Sequence, residues 1–200
     1  MELVAIPGKA FPLTGGNAIF PPMKLGIVRH FQIPHARMQW LDGSGFDKWA
    51  EWYDTTEVHA KAVPPACAEW DHCLCSDLPR AVFTAKTIFR GSIESTPLLR
   101  EVPFTSFFPR RLKAPLMLWQ ATSRLGWWLD RKSQTENRSQ TTRRVAEFVA
   151  KLKRENADRN VLIVTHGFFM QWLEKELREA GFKGKVPTRP IGGTIYLFQS

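Results

Sequence analysis

Val161-Leu162-Ile163-Val164-Thr165-His166-Gly167 is the stretch on which the fold turns. Its first five residues are mostly β-branched and do not alternate with polar ones. That pattern fits a strand buried on both faces, as in the middle of a parallel sheet. Leu25-Gly26-Ile27-Val28-Arg29-His30 repeats it near the other end of the chain. Both runs stop at a histidine. In open α/β sheets, ligands bind just beyond the carboxyl ends of such strands. The pattern therefore predicts two imidazoles and the Arg29 guanidinium at one edge of one sheet. Such a cluster suits an anion, and one imidazole is available as a nucleophile.

Working outward, apolar periodicity predicts helices between the strands. Phe46, Trp49, Ala50 and Tyr53 follow helical spacing, so a helix is expected from about Phe46. Residues 72–75 read as a second strand. Pro79 suits the first turn of the next helix, which carries Ala81, Ala85, Ile88 and Phe89 and is expected to end at Gly91. Residues 96–99 read as a short third strand, and 116–125 as a helix. Val145, Phe148, Val149 and Leu152 mark another helix, and Phe169, Trp172, Leu173 and Leu177 a further one. Residues 194–198 read as the last strand. The alternation predicts an α/β three-layer sandwich with a mostly parallel central sheet flanked by helices. Residues 1–22, broken by prolines and glycines, read as an N-terminal extension ahead of one domain at 23–200. Within it, 102–139 is rich in proline, arginine and aromatics and reads as a small cap insertion.

The chain has 200 residues, enough for one domain with a real core, and a net charge of +9. Positive charge attracts anions, whether nucleic acid, membrane surface or small phosphorylated molecules. No apolar run reaches membrane-spanning length and no secretory signal is evident, so the expected location is cytoplasmic. Three cysteines do not make a disulfide framework. Cys67, His72, Cys73 and Cys75 are close in sequence, but strand alternation sends Cys73 and Cys75 to one face and His72 to the other, against a tetrahedral zinc site. Trp119, Trp127 and Trp128 with Arg124 and Arg131 could stack nucleic-acid bases; packing of a cap onto the sheet is the favoured reading. Arg124, if it faces the pocket, favours a bulky or highly anionic ester. No Gly-x-Ser-x-Gly elbow or glycine-rich phosphate loop is present.

Phosphoryl transfer needs cations around the equatorial oxygens of the transferred group. Arg29 precedes His30, and Arg80 sits at the start of a helix, where anions are favoured. Arg29-His30, Ser76-Asp77-Leu78-Pro79-Arg80-Ala81, Leu99-Arg100-Glu101 and Thr165-His166-Gly167 occur in the order seen in the histidine phosphatase superfamily. The chain resembles its phosphoglycerate-mutase-like branch from about Lys24 onward. The resemblance implies that His30 attacks phosphorus to form a phosphohistidine and that Arg29, Arg80 and His166 hold the phosphoryl oxygens. It also implies that Glu101, with His30 and His166 the catalytic set, protonates the leaving oxygen and then deprotonates water. No metal or organic cofactor is implied. Phe31 stands where the family usually has glycine, and Ala36 where many members carry asparagine; Gln32, His35 and Arg37 are the candidate substitutes.

The first reading is thus a phosphomonoesterase acting on a small-molecule phosphate ester, with no nucleic-acid or membrane partner and an open oligomeric state. A phosphoglycerate-mutase-type phosphotransferase ranks second. A phosphate-binding or regulatory protein of the same fold, suggested by Phe31 and Ala36, ranks third.

Overall fold

The computed structural model describes residues 23–33, 39–58, 69–107, 109 and 111–200. The extension at 1–22, together with His35, Ala36, Arg37 and Cys67, lies outside them.

The two apolar runs are neighbouring parallel strands, β1 (Lys24–Arg29) and β6 (Val161–Thr165), paired from Leu25↔Val161 to Arg29↔Thr165. Parallel strands β3 (His72–Ser76) and β4 (Ile93–Thr96) extend the sheet on the far side of β6. On the other side β8 (Ile195–Gln199) runs antiparallel to β1, and β7 (Lys183–Gly184) closes the edge, for an order β4-β3-β6-β1-β8-β7. The mostly parallel sheet expected from sequence is present. The 96–99 strand is corrected: strand pairing stops at Thr96, and Pro97–Leu99 form a 3₁₀ turn. Pro97 lacks the N–H that a continuing ladder would need.

Helices cover both faces. On one, α4 (Arg138–Glu155) and α5 (Gly167–Glu179) bury Phe148, Val149, Phe169 and Leu173 against Leu25, Ile27 and Ile163. On the other, α2 (Pro79–Ile88) packs Ala81, Ala85 and Ile88 on Val28, Leu162, Cys73 and Cys75. Helix α2 ends at Ile88, short of Gly91, because Phe89 turns to extended backbone and packs in that core. Helix α1 (Gly43–Thr55) starts three residues before Phe46. The Asp42 carboxylate caps it by accepting from the Gly45 N–H at 2.8 Å. Helix α3 (Leu116–Trp128) outlasts the expected 116–125 and shares a small core with α1, where Phe46 and Trp119 stack at 5.5 Å. A two-stranded ribbon, β2 (Trp40–Leu41) with β5 (Ala114–Pro115), leads into α3. No helix among the described residues is long and apolar enough to cross a membrane.

Gly26 shows how closely this sheet is covered. A Cβ there would meet the Trp70 ring at 2.6 Å, so the strand needs glycine at that point.

Candidate active site

Register alone brings the two histidines together. Arg29 pairs with Thr165, so the next residues, His30 and His166, leave the sheet side by side. The His30 N–H donates to the Thr165 carbonyl at 2.9 Å, and the two rings lie 4.9 Å apart. Both are buried, His30 at 2% exposure and His166 at 0%.

Their hydrogen bonds determine their tautomers. His30 Nδ1 lies 2.6 Å from the Phe31 carbonyl oxygen, which can only accept. Nδ1 therefore carries the proton, and Nε2 keeps its lone pair. Arg80 Nε can only donate, and it does so to His166 Nδ1 at 3.3 Å. The His166 proton therefore sits on Nε2, a buried donor with no partner among the described residues. Arg29 Nε is a second such donor, while Arg29 Nη1 is anchored on the Pro190 carbonyl at 3.0 Å. Buried polar groups are rarely left unpaired, and two unmatched N–H groups on neighbouring side chains suit an anion.

Arg80 is fully buried at the start of α2. Nη1 donates to the Tyr53 carbonyl at 2.8 Å, Nη2 meets the Asp54 carboxylate at 3.0 Å, and the Tyr53 ring stacks on the guanidinium at 4.7 Å. Burial, with the Arg80 charge next, holds the His30 pKa down to about 3. Burial, then His30 and Arg80, also holds His166 well below its ordinary value. Both imidazoles are therefore neutral at physiological pH, one able to attack and one able to donate.

Stability should depend on pH for the same reason. Unfolded, both histidines take up protons near their ordinary value of 6.5; folded, His30 does so only near 3. The unfolded chain thus binds more protons in this window, and stability falls as pH drops through it. His30 alone accounts for roughly 2–3 kcal/mol by about pH 4.5. Urea unfolding at about pH 7.5 and about pH 4.5 checks this; equal midpoints would contradict it.

Glu101 occupies a place that its sequence neighbours did not reveal. Its carboxylate accepts from the N–H groups of Phe168 and Phe169 at 3.1 and 3.0 Å, capping α5 from outside, and from Val102 at 3.0 Å. It also lines a cleft of about 610 Å³, together with Arg29, Gln32, Tyr53, Arg124 and Gly167. Arg124 sits between the Phe104 and Phe168 rings, at 4.0 and 4.3 Å, and donates to the Val102 carbonyl at 2.9 Å.

The Phe31 ring packs into the core beside Phe83, away from this cleft. Gly193 makes the room: its φ is +78°, and a Cβ there would come within 2.6 Å of the ring. The Phe31 N–H is taken by Thr84 Oγ1 at 2.9 Å. The sequence marks Tyr53 only as part of an apolar helix face and does not mark Asp54 or Thr84 at all, because Tyr53 and Asp54 are remote from Arg80 in the chain and none of the three belongs to a motif. Cys73 and Cys75 face one core, and burial pushes the Cys75 thiol up to about 11; His72 lies apart, 3.7 Å from Glu94.

This site sits in a chain whose residues 53–185 match the family model described as histidine phosphatase superfamily, branch 1. The chain belongs to the histidine phosphatase superfamily. The match includes Arg80, Glu101 and His166 and begins after Arg29-His30. Solved structures similar to this chain include a mutase and two phosphatases. A phosphoglycerate mutase from Bacillus anthracis is 19% identical, with 89% of this chain and 88% of that one covered and a TM-score of 0.51. A phosphoserine phosphatase variant from Entamoeba histolytica, in complex with phosphoserine, is 14% identical over 78% and 80%, also at 0.51. An alpha-ribazole phosphatase from Shigella flexneri is 23% identical over 78% and 79%, with a TM-score of 0.44. Among curated proteins none matches this chain. At a TM-score of 0.51, a phosphatase and a mutase are thus equally similar in fold to this histidine phosphatase superfamily member.

Proposed function

We propose that the chain is a phosphomonoesterase that works through a phosphohistidine at His30. The observation that carries this is the Nδ1–H bond from His30 to the Phe31 carbonyl. It leaves Nε2 unprotonated, beside the unpaired N–H groups of His166 Nε2 and Arg29 Nε. In the first step a bond forms between His30 Nε2 and phosphorus, and the bond from phosphorus to the ester oxygen breaks. Arg29, Arg80 and His166 offset the charge on the phosphoryl oxygens. Glu101, which lines the cleft, would protonate the leaving oxygen. In the second step it would take a proton from water as that water attacks the phosphohistidine. Oε2 of Glu101 accepts one bond, from Phe168, and so keeps a lone pair on which that proton can be carried.

The assay is release of p-nitrophenol from p-nitrophenyl phosphate, with and without EDTA, alongside rapid quenching to trap a base-stable, acid-labile phosphoenzyme. EDTA-resistant turnover with a trapped intermediate is expected. Near-zero turnover would reject the proposal and favour the third reading, a phosphate-binding protein of this fold. Two observations support that reading: the burial of both histidines, and the engagement of the Phe31 N–H by Thr84.

Glu101→Gln separates capping from proton transfer. Loss of one acceptor at α5 should cost about 1–2 kcal/mol of stability. The first release of p-nitrophenolate, which needs no proton, should persist as a burst. Hydrolysis of the phosphoenzyme should slow by about 10²-fold or more. Steady turnover at the parental rate would leave Glu101 as a cap alone.

A further inference from the structure

The outward face of α3 carries no charge. Met117, Leu118, Ala121, Leu125, Trp128 and the following Leu129 are all exposed, forming a stripe roughly 18 Å long at about 1.5 Å per residue. Trp40, on the ribbon strand that pairs with Pro115, lengthens it at the start of the helix and is 66% exposed. Solvent-facing helix surfaces are ordinarily polar, and apolar patches of this kind mark contact with something.

The charges at its ends say with what. Arg111 and Lys113 stand exposed before α3, and Arg131 and Lys132 after it. Asp130, whose oxygens accept from Ser139 at 3.0 and 3.1 Å, keeps its negative charge but is outnumbered by Arg131 and Lys132. Both ends of the stripe are therefore basic. Two copies packed face to face would bring positive ends together whether the helices ran parallel or antiparallel. Residues 1–22 hold one acid, Glu2, and one base, Lys9, so that segment offers no net negative charge to match. A lipid surface with anionic headgroups meets every feature at once: apolar side chains enter the interface, tryptophans sit at the headgroup level, and both basic ends find phosphates.

We propose that the exposed face of α3 docks the protein on anionic membrane surfaces. The absence of a spanning segment, on which the expectation of no membrane partner rested, does not bear on such peripheral contact. Ala121 belongs both to the stripe and to the wall of the cleft, so docking places the cleft mouth at the lipid interface.

The test is sedimentation of the full chain with vesicles of phosphatidylcholine alone or with about 30% phosphatidylglycerol, at about 0.1 M salt. Binding to the anionic vesicles is expected, about tenfold weaker on the neutral ones and weaker again at higher salt. The double variant Leu125→Glu/Trp128→Glu should lose at least about tenfold of it. Its substitutions lie at exposed positions, and circular dichroism verifies the fold. Arg131→Glu/Lys132→Glu provides an independent loss through the rim. No binding to anionic vesicles overturns the proposal, as does equal binding to neutral ones or undiminished binding by both double variants. A dimer in light scattering that Leu125→Glu/Trp128→Glu converts to monomer, without vesicle binding, would assign the face to self-association instead.

Discussion

His30→Ala is expected to lower turnover of p-nitrophenyl phosphate by on the order of 10⁴–10⁶-fold and to abolish the trapped phosphoenzyme. The magnitude follows from the kind of group removed. Donors around the phosphoryl oxygens act on a transition state that some nucleophile must first create. Without Nε2 the remaining route is direct attack by water, a weaker nucleophile than a positioned imidazole nitrogen. The fold should survive. The deleted ring makes one hydrogen bond to its own neighbour's carbonyl, so the stability cost is about 1–3 kcal/mol. The variant should also lose less stability on acidification than the parent, since one buried imidazole no longer resists protonation. A variant retaining a tenth of parental turnover would remove His30 from the chemistry.

The second large effect belongs to Arg80. Arg80→Met keeps most of the volume and deletes the charge. Three bonds are lost, to His166 Nδ1, the Tyr53 carbonyl and Asp54. Asp54 is partly exposed and regains water, but the Tyr53 carbonyl and His166 Nδ1 lose their donors, so the cost is about 2–4 kcal/mol. Turnover should fall by about 10²–10³-fold, as when one well-placed donor to a transition-state oxygen is removed. The direction of the pH effect distinguishes this from simple loosening. The Arg80 charge is among the causes that hold His30 down. Removing it makes the protonated imidazole less unfavourable, so the His30 pKa rises. The acid limb of kcat/KM should then move to higher pH. An acid limb that stays in place while turnover falls would confine Arg80 to structure. Arg80→Lys should not restore activity, because an ammonium group cannot span His166, Tyr53 and Asp54 together.

The placement of the histidines was legible in the sequence because it depends on short-range rules. Two non-alternating β-branched runs define central parallel strands, and each histidine is the residue after its run. Arg80 was legible because Pro79 marks a helix start. Glu101 illustrates the limit. Its motif located it near the sheet edge, but its bonds to Phe168 and Phe169 cross 67 and 68 residues, and no local pattern encodes them. Phe31 is similar: its neighbours could not show whether the ring would wall the cleft or enter the core, because the space it fills is left by Gly193.

Local periodicity, strand hydrophobicity and helix-start chemistry were thus enough to define an α/β sandwich and to bring His30, His166 and Arg80 to one edge of it. Each of those signals acts within a few residues of chain. The tautomers of the two histidines, the clamp of Tyr53 and Asp54 on Arg80, and the uncharged outer face of α3 emerged only in three dimensions. They depend on which distant groups share a small buried volume and which are left facing solvent, and only the packed chain settles that.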